Sequence, residues 1–199
     1  MQKKQRIPKN TKEQRTKKAK GASAYDEAVY FLTPKARTVR EVENRLDECN
    51  YSEGEIMAAI DRLRNNGLLN DEKFARDFIE SRLNTKPVSR GKLRRQLREH
   101  FVENAVIDEA LSAVSDETEL SNAAAVGSKY FRQYSNLPLK ERLRRTGSRL
   151  VSCGYAFDDV KTVLSELAEN SEETGNSDEI PDEIEFSFRS AENGADDEE

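Results

Sequence analysis

The chain has 199 residues and a formal net charge of −5; 36 % of its residues are charged, 35 % are hydrophobic and none is tryptophan. This composition excludes one thick globular core and favours thin helical layers with solvated faces. No run approaches the roughly 18 apolar residues of a membrane span, and no signal-like apolar stretch opens the chain. We therefore expect a cytoplasmic protein without membrane contact, whose two cysteines, Cys49 and Cys153, remain thiols.

The two ends carry opposite charges. Residues 1–20 hold nine Lys or Arg and one Glu, a net charge of +8, whereas residues 169–199 hold thirteen Asp or Glu and one Arg, a net charge of −12. Both lack apolar periodicity, which predicts a disordered basic arm over 1–22 and a disordered acidic tail over 169–199. Each end is then either a solvating segment or an interaction segment. In the second case the arm holds an anionic polymer, and the tail competes with that polymer for basic surface.

After the arm, capping signals and apolar spacing predict three helices. The first runs from about Ala24 to Leu32. The next two begin at the capping boxes that Thr38 forms with Glu41 and Ser52 forms with Glu55. Asn50 lies where a left-handed residue would end the second helix, and Gly67 lies at the end of the third.

The same pattern recurs 51 residues later and again after a further 53 residues. The buried position of the second helix reads Leu46, Leu97 and Leu150 in the three copies, and the turn position reads Asn50, Phe101 and Gly154. A phenylalanine with positive φ would be strained, so the second copy is predicted to turn by another geometry. We predict an all-α fold of three tandem three-helix repeats, over residues 23–69, 70–115 and 116–168, that form a curved, extended module. The alternative is a set of unrelated helices with ordinary periodicity.

The junction between the first two repeats is the most distinctive local sequence. Gly67 can end one helix in the left-handed conformation, and Asn70 can cap the next. Asp71 and Glu72 then face the positive end of the new helix dipole. Taken alone, this pattern predicts a tight helix–helix turn.

This junction resembles the RecX family, bacterial regulators of the RecA recombinase. The family's pattern of a glycine, apolar residues, Asn-Asp and Phe-Ala is matched by Gly67, Leu69, Asn70, Asp71, Phe74 and Ala75. The resemblance continues through Ser81-Arg82-Leu83, Gln96-Leu97 and the Leu150–Tyr155 turn, and it covers about residues 24–168. The chain departs from the family where it has Ser89-Arg90 in place of Gly-Pro and Phe101 in place of glycine.

The resemblance implies three tandem three-helix repeats. It also implies a protein that lies along the groove of a RecA–DNA filament and limits filament growth, strand exchange and ATP hydrolysis. The corresponding roles are DNA repair, recombination and the SOS response. The partners are then the RecA filament and, through the basic face and the N-terminal arm, DNA.

The segment from residue 82 to residue 98 contains seven cations and no acidic residue: Arg82, Lys86, Arg90, Lys92, Arg94, Arg95 and Arg98. On a helix, Arg90, Arg94 and Arg98 form a stripe of like charges, each pair costing about 0.2–0.5 kcal/mol. Such a stripe favours an anionic partner, although a solvated face is the alternative. The corresponding helix of the third repeat carries a second cluster: Lys140, Arg142, Arg144, Arg145 and Arg149. We expect both helices to form the filament-facing or DNA-facing surface.

Catalytic readings find little support in the sequence. There is no phosphate-binding Gly-Lys-Ser/Thr loop and no recognisable nucleophile–base pair. Cys49, His100 and Cys153 occupy equivalent repeat positions, which are expected to lie too far apart to share a metal at about 2.0–2.3 Å. We therefore predict a monomeric regulator that is not an enzyme and uses no cofactor or metal. Two alternatives remain: a protein that binds DNA directly, in the manner of a helix-turn-helix domain, and a helical scaffold for another acidic protein.

Overall fold

The computed structural model describes residues 22–171, which form nine α-helices and no strand. These are α1 (Ala24–Leu32), α2 (Val39–Glu48), α3 (Glu53–Asn65), α4 (Asp71–Thr85), α5 (Arg90–Glu99), α6 (Asn104–Ser112), α7 (Asp116–Gln133), α8 (Leu139–Ser152) and α9 (Phe157–Glu169). None of the helices in this part of the chain is both long enough and apolar enough to cross a membrane. The all-α prediction is therefore confirmed. The basic arm and the acidic tail lie outside the described residues, apart from a few residues at their inner ends.

The chain divides after Phe74 into two compact units. In the first unit α1, α2 and α3 pack on one another. In the second unit α5 packs on α6, and α7, α8 and α9 pack mutually. The first three helices and the last three therefore each form a mutually packed set.

Helix starts follow the capping residues predicted from the sequence. The Thr38 hydroxyl accepts a hydrogen bond from the Glu41 N–H at 3.3 Å, and the Glu41 carboxylate accepts one from the Thr38 N–H at 3.1 Å. Ser52 and Glu55 form the same reciprocal pair at the start of α3. Asn70 accepts a hydrogen bond from the Lys73 N–H at 2.7 Å at the start of α4. Satisfying these otherwise unpaired N–H groups fixes where α2, α3 and α4 begin.

The helix ends correct one prediction. Asn50, Gly67 and Gly154 take positive φ angles, as expected, but Phe101 does so too, with φ of 60°. Its turn has the same hydrogen bonds as the others, from the Phe101 N–H to the Arg98 carbonyl and from the Val102 N–H to the Leu97 carbonyl, at 2.8 and 3.1 Å. The expectation of another geometry was wrong. Burial of Val102 together with these bonds offsets the steric cost of a left-handed phenylalanine.

The predicted repeat positions are buried. Leu46, Leu97 and Leu150 have no exposed surface, and Ile107 and Val160, at equivalent positions of the following helices, have none either. Their burial fixes the rotation of each helix about its axis, and therefore decides which faces of α5 and α8 can carry cations toward solvent.

Candidate anion-binding surface

Helix α5 begins at a buried cap. Ser89 accepts a hydrogen bond from the Lys92 N–H at 3.0 Å and donates one to the Cys153 carbonyl at 2.6 Å. Leu93 and Leu97 are fully buried in the core. This arrangement fixes the rotation of α5, so its cations occupy distinct faces.

Arg90 is held within its own unit. Its backbone N–H donates to both carboxylate oxygens of Glu119 at 3.0 Å, and its guanidinium contacts Asp116 at 2.7 Å and the Val114 carbonyl. Burial raises the pKa of Glu119, although the Arg90 N–H and guanidinium act in the opposite direction. Arg90 thus joins α5 to the start of α7, which is a structural role.

The rest of the arginine stripe also has partners in the second unit. The Arg94 guanidinium contacts the Asp108 carboxylate, and Arg98 Nε donates to Asn104 Oδ1 at 3.0 Å. Carboxylates of the unit therefore counter the charges of Arg90 and Arg94, whereas the neutral Asn104 holds Arg98 in place without neutralising it. This stripe does not by itself require an external anion.

Two cations of α5, Lys92 and Arg95, lie off the stripe of Arg90, Arg94 and Arg98. Arg95 is exposed and Lys92 is half-buried, and neither forms an ion pair with any residue in the range 22–171. Upstream, the Arg82 guanidinium lies 4.8 Å from the centre of the Phe78 ring on α4, and Lys86 is exposed in the following loop. Lys92 and Arg95 are therefore the α5 side chains best suited to an external anion.

A shallow cleft of about 340 Å³ lies along α8 and the end of α7. Its lining combines three guanidinium groups, two hydroxyls and one phenol, supplied by Tyr134, Arg144, Arg145, Ser148, Arg149 and Ser152. The two serine hydroxyls already donate to the Arg144 and Arg149 carbonyls, at 3.0 and 2.8 Å. The guanidinium groups are therefore the donors from which a phosphate or carboxylate would accept. The cleft is thus suited to an anion.

The charge of the cleft is positive on balance. Arg144 and Arg145 share one carboxylate, that of Glu141, at 2.9 and 2.6 Å, and these hydrogen bonds lower the pKa of Glu141 to about 2. The Arg149 guanidinium lies 5.1 Å from the centre of the Tyr130 ring, which stacks on Tyr134 at 6.4 Å. Three guanidinium groups are thus balanced by only one carboxylate, that of Glu141, and two tyrosine rings lie next to them.

The two other cations predicted on this helix differ from those of the cleft. Arg142 is half-buried, with its guanidinium 3.8 Å from the centre of the Phe131 ring. Lys140 is exposed near the start of α8 and does not line the cleft. The structure therefore brings together three of the five cations.

The cleft also contains residues that were not predicted from the sequence. Ser148 and Ser152 follow Arg144 at intervals of four residues, so helical spacing could have identified them. The place of Tyr134 in the cleft depends on how α7 packs against α8. Local spacing carries no information on that contact.

Cys49 and His100, which occupy equivalent repeat positions, have different surroundings. Cys49 is buried and its thiol contacts the Glu27 carboxylate at 3.7 Å, while the His100 ring packs edge-on against Phe78 at 5.5 Å. Across residues 22–171 no three His, Cys, Asp or Glu side chains converge as a metal site would require.

Comparison with known proteins shows which family the chain belongs to. The model of the first three-helix domain of RecX matches residues 24–63, and the model of its second three-helix domain matches residues 70–111. The chain is 32 % identical to the regulatory protein RecX of Streptomyces lividans over 149 residues, which is 73 % of this chain and 79 % of that protein. It is 29 % identical to that of Bacillus subtilis over 151 residues, 75 % of this chain and 57 % of the relative.

Solved structures agree in fold. The crystal structure of RecX from Lactobacillus salivarius superposes with a TM-score of 0.69 at 22 % identity, covering 72 % of this chain and 94 % of that one. A second crystal structure of a regulatory protein RecX gives a TM-score of 0.66 at 24 % identity, covering 70 % of each chain. The chain spans little more than half the length of several curated relatives, 55 % for that of Limosilactobacillus reuteri. On the matched domains and the Streptomyces relative, the chain belongs to the RecX family of regulatory proteins.

Proposed function

We propose that this protein binds the RecA–DNA filament and inhibits its recombinase and ATPase activities, acting in DNA repair and recombination. The observation that carries the proposal is membership of the RecX regulatory family, supported by 32 % identity across 79 % of the Streptomyces relative. The family resemblance supplies RecA as the partner. The charge arrangement of the second unit supplies a physical basis for binding.

The binding surface is proposed to use the α5 cations whose side chains have no ion-pair or hydrogen-bond partner among the described residues, together with the positively charged cleft of α8. On α5 these are Lys92 and Arg95, since Arg90, Arg94 and Arg98 are occupied within the unit. On α8 the proposed contacts are the three arginines of the cleft. A RecA–DNA filament offers both DNA phosphates and protein carboxylates to such groups. Both attractions weaken as salt screens them.

Inhibition then follows from occupation of a surface. A protein that binds the filament changes the balance between its conformations by the difference in affinity for them. It also blocks whatever must enter or leave the occupied groove. Neither effect requires a catalytic group on the regulator, and the change in ATP turnover would be exerted on the partner.

The charged ends of the chain have complementary proposed roles. The basic arm, with a net charge of +8 over residues 1–20, adds phosphate contacts. The acidic tail, with a net charge of −12 over residues 169–199, competes for the same cationic surface. We expect removal of residues 169–199 to strengthen filament binding and removal of residues 1–20 to weaken it.

Binding to preassembled RecA–DNA filaments, compared with binding to the same DNA alone, tests the proposal. Fluorescence anisotropy of labelled protein at two salt concentrations would be measured for the wild type and for Lys92→Glu/Arg95→Glu. The control, Lys35→Glu/Arg64→Glu, makes the same charge change at exposed positions of the first unit. We expect the α5 variant alone to lose filament affinity, by about tenfold or more. High affinity for naked DNA with no preference for the filament would favour the direct DNA-binding alternative.

A further inference from the structure

Neither the backbone conformation nor the packing at position 101 favours a phenylalanine. Phe101 has φ of 60°, whereas glycine or asparagine occupies the left-handed position of the other turns of this kind, at Asn50, Gly67 and Gly154. An L-residue with a bulky side chain is disfavoured there because its β-carbon crowds the backbone. The side chain is 55 % exposed, so burial does not account for the ring.

The turn is stabilised by neighbouring groups and not by the Phe101 ring. The Val102 side chain is buried, and its N–H reaches the Leu97 carbonyl. A glycine at position 101 could make the same backbone hydrogen bonds without the strain. A strained backbone conformation that the surrounding structure maintains supports a hypothesis of function. At position 101 the strain keeps an aromatic ring exposed to solvent.

The position of the ring connects it with the proposed binding surface. Phe101 directly follows the C-terminal end of α5, the helix that carries Lys92 and Arg95. The charges nearest to it in sequence are mixed, Arg98 against Glu99 and Glu103. Arg98 is in addition held by Asn104. Rings that stack on nucleic acid bases usually lie within a cationic groove. The mixed charges around Phe101 in the sequence do not form such a groove.

We propose that Phe101 is an anchor that inserts into an apolar pocket on the protein component of the filament, at the C-terminal end of the helix that carries Lys92 and Arg95. Exposed aromatic side chains that fill a partner's pocket commonly contribute a large share of interface affinity. The inference rests on the proposed function and adds a partner for this turn, namely protein rather than DNA.

Three substitutions test the anchor. Phe101→Gly removes both the ring and the strain, so we expect an unchanged or raised Tm and about tenfold weaker inhibition of RecA ATP hydrolysis. Phe101→Leu keeps apolar bulk but cannot stack on a base, so it should retain most of the inhibition. Asn50→Gly is the matched control, because it relieves the equivalent turn of the first unit, and it should leave inhibition unchanged.

The outcomes separate the two proposals. If wild type inhibits and Phe101→Gly inhibits equally well, the anchor is overturned and the proposed function stands. If Phe101→Gly weakens binding to naked single-stranded DNA to the same degree, the ring stacks on bases and the protein pocket is overturned. A large fall in Tm would show that the ring packs on its own chain, which also overturns the anchor. If wild type itself leaves RecA unaffected, the proposed function fails and the anchor fails with it.

Discussion

The Ser89 hydroxyl donates a 2.6 Å hydrogen bond to the Cys153 carbonyl, and so connects the start of α5 to the turn between α8 and α9. The same oxygen accepts the Lys92 N–H that begins α5. One hydroxyl thus caps a helix and satisfies a carbonyl 64 residues away. This connection joins the second three-helix set to the third within one unit.

Ser89→Ala is expected to destabilise the second unit more than the loss of an ordinary helix cap would. It removes the cap and leaves the Cys153 carbonyl without this donor, a combined cost of about 2–3 kcal/mol. Ser115→Ala is the matched control, because Ser115 is exposed and caps α7 through the Thr118 N–H. That variant should lose about 1 kcal/mol. Urea unfolding measures both, and equal losses would contradict the connecting role of Ser89.

Gly91 is expected to tolerate no side chain. A β-carbon there would lie 2.4 Å from the Gly154 carbonyl oxygen, a backbone atom that cannot easily move away. Gly91→Ala should therefore lower stability by about 1–3 kcal/mol, despite the better helix propensity of alanine. Gly54→Ala is the control, since a β-carbon on Gly54 in α3 meets nothing within 4 Å. It should be neutral or stabilising by up to about 1 kcal/mol.

The two glycine variants are compared by thermal unfolding. A Gly91→Ala protein as stable as the wild type would show that α5 does not approach the α8–α9 turn this closely.

Glu119 is expected to make stability depend on pH in a defined direction. Burial raises the pKa of this carboxyl above its ordinary value, so the folded state binds the proton more tightly than the unfolded state. Protonation of Glu119 therefore adds to the free energy of unfolding. This contribution is complete below the ordinary pKa of 4.5 and is lost as the pH rises through the pKa of the folded state. Glu119→Gln cannot titrate and keeps one oxygen to accept the Arg90 N–H.

The wild-type protein should therefore gain stability relative to Glu119→Gln as the pH falls from 7 toward 4. Urea unfolding of both proteins at several pH values measures the difference. A difference that changes in the opposite direction would mean that Arg90 outweighs burial and lowers the pKa of Glu119.

Much of the fold could be predicted because its signals are local. Capping boxes such as Thr38 with Glu41 lie within four residues of each other, and left-handed turns such as Asn50 and Gly67 are favoured by residue type. Phe101 was predicted wrongly because its conformation is set by tertiary burial of Val102 against its residue preference. Local preference is a weak guide where the following residue must enter the core.

The surface was harder to predict because its neutralising groups are distant in sequence. Arg94 is paired with Asp108, and Arg90 with Asp116 and Glu119, which lie 14 to 29 residues along the chain. A charge run therefore looks uncompensated in the sequence although the fold supplies its counter-charges. The cleft likewise needs Tyr134 from α7 beside arginines from α8. Only the packing of the two helices reveals it.

Inhibition of the RecA filament is tested most directly by titrating this protein into RecA on single-stranded DNA. The rate of ATP hydrolysis by RecA is measured at each concentration. Wild type is compared with the cleft variant Arg144→Gln/Arg145→Gln/Arg149→Gln. Its control is Lys35→Gln/Arg40→Gln/Arg64→Gln, which removes the same charge from exposed positions of the first unit. We predict that wild type and control both inhibit, whereas the cleft variant needs about tenfold more protein for the same effect. Hydrolysis that continues unchanged at every concentration of the wild-type protein would show that this protein does not inhibit the RecA filament.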